Sequence, residues 1–267
     1  MKGCAICCYI WGEKMPIMVD VMVLGYSLQE HGNKADRMLC ISDDTLQNKV
    51  AHLMKAFWTF VPVHHVELPG HLRGSEQKRL QGVYSKLQTV KLFSYGPFKQ
   101  PRVLLCDADM LVRANIDDLF GYRVPAAVMR GMSDTCLYNR RPNHTFFTNE
   151  SDYKRLGITT TMKGGINGGL VLFEPNAYVY EDMMEKLAAF HPETAMAEQE
   201  FLSWYWGRDG ACNALHKKTT SRYISSTFQL QRTPWAKAGW QRFLTWWRIP
   251  QRSVSTISVR IKSQVTC

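Results

Sequence analysis

Residues 102–109 read RVLLCDAD, an apolar run of strand length that ends directly at two aspartates. Upstream, apolar strand-like runs alternate with segments whose hydrophobic residues recur at helical spacing. In chain order these segments are 4–11 (strand), 18–30 (helix), 38–42 (strand), 45–58 (helix), 61–68 (strand) and 82–94 (helix). The alternation predicts an α/β fold with a largely parallel sheet. Because such sheets bind ligands beyond the carboxyl ends of their strands, we expect Asp107 and Asp109 at a ligand site.

The part of the chain after the aspartates predicts a long loop and then a second α/β stretch. Residues 131–165 are polar, and a loop of that length within a compact domain is often functional. A glycine-rich turn at 164–169 precedes a predicted strand at 170–173, and two helices are predicted at 177–190 and 197–206.

The composition describes a globular protein whose charge is concentrated at one end. Among 267 residues, 45% are hydrophobic and 21% are charged, which excludes collagen-like, coiled-coil and wholly disordered chains. The net charge is +10. Residues 1–207 hold 22 basic and 22 acidic side chains, whereas residues 208–267 hold 11 basic side chains and one acid. A basic tail on a neutral body argues against a nucleic-acid-binding protein as the general interpretation.

The cysteines and the apolar segments bear on the compartment. Cys7, Cys8, Cys40 and Cys106 lie in apolar runs, where a free cysteine behaves as a small hydrophobic residue, so reduced thiols in a reducing compartment are expected. We find no signal-peptide pattern and no apolar run of 18 residues. The expected location is cytoplasmic, with a Golgi location left open.

The spacing of Asp107 and Asp109 suits a metal site. In an extended segment, side chains at i and i+2 point the same way. Two such carboxylates can hold Mn²⁺ or Mg²⁺ and leave positions for phosphate oxygens, so that the metal neutralises a departing diphosphate. The alternative is a solvated loop, because Asp-x-Asp is common by chance.

The context of the two aspartates resembles glycosyltransferase family 8, the group that includes glycogenin and galactinol synthase. The resemblance covers roughly residues 3–206, in order and in spacing. The matching stretches are Val23–Leu28 (VLGYSL), Tyr84–Leu87 (YSKL), Val103–Val112 (VLLCDADMLV), Asn115–Phe120 (NIDDLF), Ile166–Leu172 (INGGLVL) and Glu198–Leu202 (EQEFL).

The resemblance implies a retaining, Mn²⁺-dependent transferase that moves a hexose from a UDP-sugar, with glucose or galactose expected. It implies the GT-A fold, Rossmann-like with a mostly parallel central sheet. Asp107 and Asp109 correspond to the family's metal pair, and Ala108 between them joins the donor-binding set. Lys86 corresponds to a lysine near the donor sugar and phosphates. The acceptor stays open among glycan, protein, inositol and lipid.

Two further motifs are assigned by the resemblance. Asn167 and Gly168 correspond to a donor-sugar turn in which the family commonly has serine at the second position. Glu198 and Gln199 stand where the family has Asp-Gln, with side chains directed toward the sugar and its reacting face. From the residues alone, Glu198 also suits an acid placed at a helix N-terminus.

Several other side chains have simpler interpretations. Trp11 is either a base-stacking residue or a buried tryptophan at a strand end. Asp117 and Asp118 are expected in a helix N-cap region. His64 and His65 are expected to be satisfied surface or core histidines.

The C-terminal residues depart from the family, and we divide the chain into a transferase domain at 1–207 and a divergent basic segment at 208–267. The family has a third metal ligand, a histidine, near its C-terminus, but no histidine follows His216 here. Three hypotheses remain open. They are a weakly metal-dependent transferase, a donor-binding pseudoenzyme, and an aberrant terminus from splicing or a shifted reading frame.

Residues 234–249 add one further alternative. They place aromatic residues at helical spacing among cations, which suits either an anionic membrane surface or packing on the transferase body. Membrane or nucleic-acid association through this tail is therefore the alternative to a role in transfer.

Overall fold

A seven-stranded mixed sheet forms the centre of the first compact unit, Met1–Ser225. The computed structural model describes residues 3–12, 14–46, 51–72, 76–129, 166–192, 197–207, 213–214 and 224–226. The expectations for 131–165, 208–212, 234–249 and the rest of the tail lie outside these ranges. The strands are β1 (Cys4–Ile10), β2 (Asp36–Ser42), β3 (Thr59–Val63), β4 (Arg102–Cys106), β5 (Met110–Val112), β6 (Ala126–Met129), β7 (Ile166–Phe173), β8 (Asn213–Ala214) and β9 (Ile224–Ser226).

The strand order of this sheet is β3-β2-β1-β4-β7-β6-β8. The pairs β3–β2, β2–β1, β1–β4 and β6–β8 are parallel, whereas β7 runs antiparallel to both β4 and β6. The predicted α/β fold with a mostly parallel sheet is therefore confirmed. The strands β5 and β9 pair in a separate two-stranded sheet.

The helices cover the sheet in shorter pieces than the periodicity predicts. They are α1 (Met15–Glu30), α2 (Asp43–Leu46), α3 (Ala51–Met54), α4 (Gln77–Ser85), α5 (Thr89–Leu92), α6 (Ala177–Leu187) and α7 (Ala197–Gly207). None of the described helices is long and apolar enough to cross a membrane. The predicted helices near 18–30, 177–190 and 197–206 are confirmed with small shifts at their ends.

The helix predicted at 45–58 is wrong at its C-terminal end, and the single helix predicted at 82–94 is interrupted. In the first, the helix α3 ends at Met54, and Trp58 donates a hydrogen bond from Nε1 to the Val21 carbonyl at 3.0 Å, which ties the chain to α1 before β3 begins. In the second, a 3₁₀ turn at Lys86–Gln88 separates α4 from α5. Tertiary contacts of single side chains outweigh the helical periodicity at both points.

The core lies along the buried strands β1, β2, β4 and β7. Cys7, Cys8, Cys40 and Cys106 are buried within it, as expected, and they are free thiols. The sulfur atoms of Cys7 and Cys40 lie 3.6 Å apart. Burial raises the pKa of the Cys7 and Cys8 thiols well above the ordinary value, so both stay protonated at neutral pH.

Asp117 and His64 form contacts with other parts of the chain, outside the candidate site. Asp117 and Asp118 lie in the first turn of a 3₁₀ helix, and Asp117 Oδ2 accepts a hydrogen bond from the Lys34 backbone at 2.9 Å. Neither side chain caps the helix, because Ile116 occupies the N-cap position. His64 is exposed and pairs with Asp43, its Nδ1 lying 2.7 Å from Oδ2.

Gly25 of α1 is required by the packing of the segment that enters β3. A Cβ at this position would lie 2.6 Å from Phe57 Cβ and closer still to Trp58 Nε1, and both aromatic residues are buried. We expect Gly25→Ala to lower the free energy of unfolding by about 2 kcal/mol, because overpacking outweighs the gain in helix propensity. Urea denaturation measures the change.

The matched control is Gly121→Ala, where an added Cβ meets nothing within 4 Å. Its free energy of unfolding should stay within about 0.5 kcal/mol of wild type. Equal effects at the two positions would contradict the packing argument.

Candidate active site

The site lies at the carboxyl end of β4, next to the start of β7. Asp107 follows β4 directly, and its backbone N–H donates to the Gly169 carbonyl at 2.8 Å. This bond continues the β4–β7 pairing by one residue and brings Asp107 beside Asn167 and Gly168. Asp109 stands just before β5, on the same loop.

Lys86 is the centre of the site. Its Nζ donates to Asp107 Oδ1 at 2.8 Å and to the Gly168 carbonyl at 2.7 Å, and it lies 3.7 Å from Glu198 Oε1. The Lys86 side chain is 10% exposed, so these contacts stand largely apart from solvent. Lys86 is therefore a buried cation that contacts two carboxylates. It is not a lysine on the surface of a helix.

Electrostatics keep Lys86 charged. Burial opposes the ammonium charge, but the carboxylates of Asp107 and Glu198 outweigh it, and the pKa of Lys86 is raised above its ordinary value. Lys86 therefore supplies a fixed positive charge to the site throughout the physiological range.

Asn167 and Gly168 do not form the predicted turn. The strand β7 begins at Ile166, so both residues belong to its first part, and the glycine-rich stretch is strand rather than loop there. The backbone of β7 is held at this end by Ser203 of α7, whose hydroxyl accepts from Ile166 N–H at 2.8 Å and donates to the Gln199 carbonyl at 2.6 Å. The bond between Ile166 and Ser203 also holds α7 against the start of β7.

Two oxygen atoms converge above Gly169. A Cβ at that position would lie 2.9 Å from Asn167 Oδ1 and 3.0 Å from Asp107 Oδ2. Asn167 Oδ1 already accepts a hydrogen bond from the Gly169 N–H at 2.8 Å and keeps a second lone pair, so both oxygens border the space beside Gly169. Amide and carboxylate oxygens are suited to a hard divalent cation or to sugar hydroxyls.

Glu198 and Gln199 enter the site from the first turn of α7. Glu198 is 6% exposed, and its carboxylate packs against the backbone of Gly168. Gln199 is partly buried, and its Cγ approaches the same glycine. The structure therefore brings together Lys86, Asp107, Asn167, Gly168 and the Glu198–Gln199 pair, whereas Ala108 and Asp109 lie at its more open side.

Asp20 is a further acidic residue of this region that the sequence motifs do not reveal. The Ser27 hydroxyl accepts a hydrogen bond from Val112 N–H at 3.1 Å, which joins β5 to α1 and carries Asp109 toward Asp20. Burial, followed by the charge of Asp109, raises the pKa of Asp20 to about 7. Partial burial and the charge of Asp107 also raise the pKa of Asp109.

The raised pKa of Asp20 predicts a pH-dependent stability. The unfolded chain loses the Asp20 proton near pH 4, whereas the folded chain keeps it to about pH 7. Stability therefore falls as pH rises through this window. We expect Asp20→Asn to raise the melting temperature at pH 8 and leave it almost unchanged at pH 4, in metal-free buffer.

The control for this prediction is Asp118→Asn, which makes the same chemical change at an exposed aspartate. A melting temperature of Asp20→Asn that shifts equally at both pH values would contradict the assignment.

Trp11 stands at the end of β1 and is partly buried. Its ring lies flat against α4, where a Cβ at Gly82 would strike the indole, and Tyr9 donates its hydroxyl to the Gly82 carbonyl at 2.9 Å. The strand-end packing interpretation of Trp11 therefore agrees with the structure.

No group of three or more His, Cys, Asp or Glu side chains is arranged to hold a metal ion within the described part of the chain. The candidate oxygen donors are those of Asp107, Asp109 and Asn167. Two carboxylates with adjacent oxygen acceptors match the donor chemistry of Mn²⁺ or Mg²⁺, with further positions left for other ligands.

The mixed, mostly parallel sheet, with the candidate site at the carboxyl end of β4, agrees with the GT-A fold. A model of glycosyl transferase family 8 matches residues 18–231, and the chain belongs to that family. The resemblance found in the motifs is thus confirmed, and the match continues past residue 206.

Curated relatives are similar over part of their length. An uncharacterized protein of Acanthamoeba polyphaga mimivirus is 26% identical over 205 residues, which are 76% of this chain and 67% of the viral protein. Inositol phosphorylceramide glucuronosyltransferase 1 of Arabidopsis thaliana is 26% identical over 197 residues, or 74% of this chain, which spans only 29% of that protein. Galactinol synthase 1 of the same plant is 28% identical over 132 residues, 46% of this chain and 36% of the synthase.

Solved structures show a remote likeness. Mouse xyloside xylosyltransferase 1 has a TM-score of 0.46 and 14% identity, covering 79% of this chain and 84% of that one. The galactosyltransferase LgtC has a TM-score of 0.45 and 12% identity, covering 79% and 72%.

Proposed function

We propose that this chain transfers a hexose from a UDP-sugar to an acceptor with retention at the anomeric carbon. The observation that carries the proposal is the buried Lys86, held between Asp107, the Gly168 carbonyl and Glu198 in a member of a glycosyltransferase family. A fixed cation beside acceptor oxygens is the arrangement that a sugar diphosphate needs for its leaving group and its hydroxyls.

Asp107 and Asp109 would hold Mn²⁺ or Mg²⁺, with Asn167 Oδ1 facing the same side as Asp107 Oδ2. The charges of the site support the binding of a divalent cation. Lys86 offsets one of the three carboxylates of Asp107, Asp109 and Glu198, so a divalent cation would bring the site close to neutral before the diphosphate arrives. When bound, the cation would neutralise charge that develops on the departing diphosphate.

Residues of the chain itself are proposed to supply the other interactions with the donor. Lys86 adds positive charge on the leaving-group side, and the Ser203 contact holds Gln199 at a fixed position in the first turn of α7. The Gln199 amide is proposed to face the anomeric carbon and stabilise its positive charge in the oxocarbenium-like state. Glu198 and Ala108 complete the donor-binding surface.

The acceptor class is proposed from the relatives. One relative is named for inositol phosphorylceramide and two for galactinol synthesis. The name of the glucuronosyltransferase favours inositol phosphorylceramide lipids as the first acceptors to screen, ahead of other glycans and proteins.

The test is Mn²⁺-dependent hydrolysis of UDP-hexoses by the purified chain, with UDP release as the readout. We expect UDP-glucose or UDP-galactose to be hydrolysed slowly in Mn²⁺ and not in a chelator. Binding of UDP without any release from a panel of UDP-hexoses would instead identify a donor-binding protein without turnover.

A separate experiment tests the tail as a membrane anchor. If a variant without residues 230–267 still binds liposomes, the tail is excluded as the anchor.

A further inference from the structure

Gly168 and Glu198 pack so closely that a side chain at position 168 would have to displace the Glu198 carboxylate. A Cβ on Gly168 would lie 2.6 Å from Glu198 Oε2, 3.0 Å from Oε1 and 3.1 Å from Gln199 Cγ. Contacts below 3.0 Å to a Cβ require something to shift. The Glu198 carboxylate thus lies where an ordinary residue would place its first side-chain carbon.

The carboxylate has little freedom to move elsewhere. Glu198 is 6% exposed, and its neighbours Ala197 and Phe201 on α7 are fully buried. The helix is also fixed to β7 through the Ser203 hydroxyl. A side chain at 168 would therefore displace the Glu198 carboxylate from its place beside Lys86.

The displacement of the Glu198 carboxylate affects its distance from Lys86. Lys86 Nζ donates to the carbonyl of Gly168 itself at 2.7 Å and lies 3.7 Å from Glu198 Oε1. One residue of β7 thus contributes both a backbone acceptor for the lysine and the bare surface on which the carboxylate rests. Moving the carboxylate would change its position relative to Lys86, while the lysine keeps its bonds to Asp107 and to the Gly168 carbonyl.

We propose that Gly168 and Glu198 work as one size-matched pair, in which the missing Cβ at position 168 sets where the Glu198 carboxylate lies beside Lys86. Gly168 is then a positioning residue for Glu198. The consequence for donor-sugar binding rests on the proposed function, but the pairing itself does not.

A mutant cycle separates a matched pair from two independent residues. Gly168→Ala adds only the clashing carbon, and Glu198→Asp withdraws the carboxylate by about 1.5 Å, one carbon–carbon bond. Each single change should lower kcat/KM for UDP-hexose hydrolysis at least tenfold. The combined variant has a Cβ and a shorter acid, and we expect it to return to within about threefold of wild type.

The readouts also separate donor-sugar positioning from general damage. UDP affinity in Mn²⁺ should change less than threefold in the single variants, whereas KM for the UDP-hexose should rise. The controls are Gly121→Ala, which meets no neighbour, and Glu185→Asp, an exposed acid shortened in the same way. Both should match wild type.

Additive losses in the combined variant, near a hundredfold, would overturn the proposal, as would equal losses of UDP and UDP-hexose affinity. If the wild-type chain hydrolyses no UDP-hexose, the proposed function fails, and the same cycle is read by thermal unfolding. A melting temperature lowered by Gly168→Ala and recovered by adding Glu198→Asp supports the pair there, and additive losses refute it.

Discussion

Replacing Asp107 and Asp109 together with asparagine is expected to weaken Mn²⁺-dependent UDP binding at least a hundredfold. The change removes both carboxylates proposed to hold the cation, while the amide side chains keep nearly the same volume. A neutral amide oxygen is a weaker ligand for a hard cation than a carboxylate. Calorimetric titration of UDP in Mn²⁺ and in a chelator measures the loss.

The control is Asp118→Asn, the same chemical change at an exposed aspartate. Its UDP affinity should equal that of wild type. Mn²⁺-dependent UDP binding that survives in the double variant would show that the metal is held elsewhere. Thermal unfolding of each variant checks that lost binding does not reflect lost folding.

Replacing Lys86 with methionine is expected to lower the free energy of unfolding by about 3 kcal/mol. Methionine fills similar space but leaves the carboxylates of Asp107 and Glu198 without their shared cation, and removing one partner of a buried ion pair is costly. The Glu198 side chain is only 7% exposed, so solvent cannot replace the lysine there. Urea denaturation at pH 7 measures the loss.

Combining Lys86→Met with Glu198→Gln should recover much of that stability, because the more buried of the two carboxylates that lost the lysine becomes a neutral amide. Donor binding should not recover, since the cation proposed for the diphosphate is still missing. The control is Lys91→Met, whose pair with Glu181 is more exposed and should contribute less than about 1 kcal/mol. Equal losses at Lys86 and Lys91 would contradict the central role of Lys86.

The sheet was predictable because its central strands are long apolar runs. The segments 4–11, 38–42 and 102–106 are buried on both sides, and no competing pattern obscures them. The strands β5, β8 and β9 were not predictable, because two or three residues carry no periodicity. The helix predicted to reach residue 58 ends at Met54, where the chain turns and Trp58 bonds to α1, a contact that no local pattern reveals.

The candidate site was predictable where a motif marks it. The pairing of β4 with β7 brings Asp107 and Gly168 together, and Lys86 contacts both, while their roles in donor binding stay predictions. Asp20 could not be found in this way, because it lies on α1 without a local motif, and only the contact of β5 with α1 brings it near Asp109. The match between Gly168 and Glu198 likewise needs the packed structure.

The central claim is that this chain cleaves a UDP-hexose with retention. Proton magnetic resonance of UDP-α-glucose or UDP-α-galactose with the wild-type chain in Mn²⁺ tests it in one measurement, because it records both the release of UDP and the first sugar anomer. We expect UDP release with the α-anomer of the free hexose formed first, before mutarotation. UDP-hexose that the protein binds but leaves intact, or a β-anomer formed first, would contradict the proposed retaining cleavage.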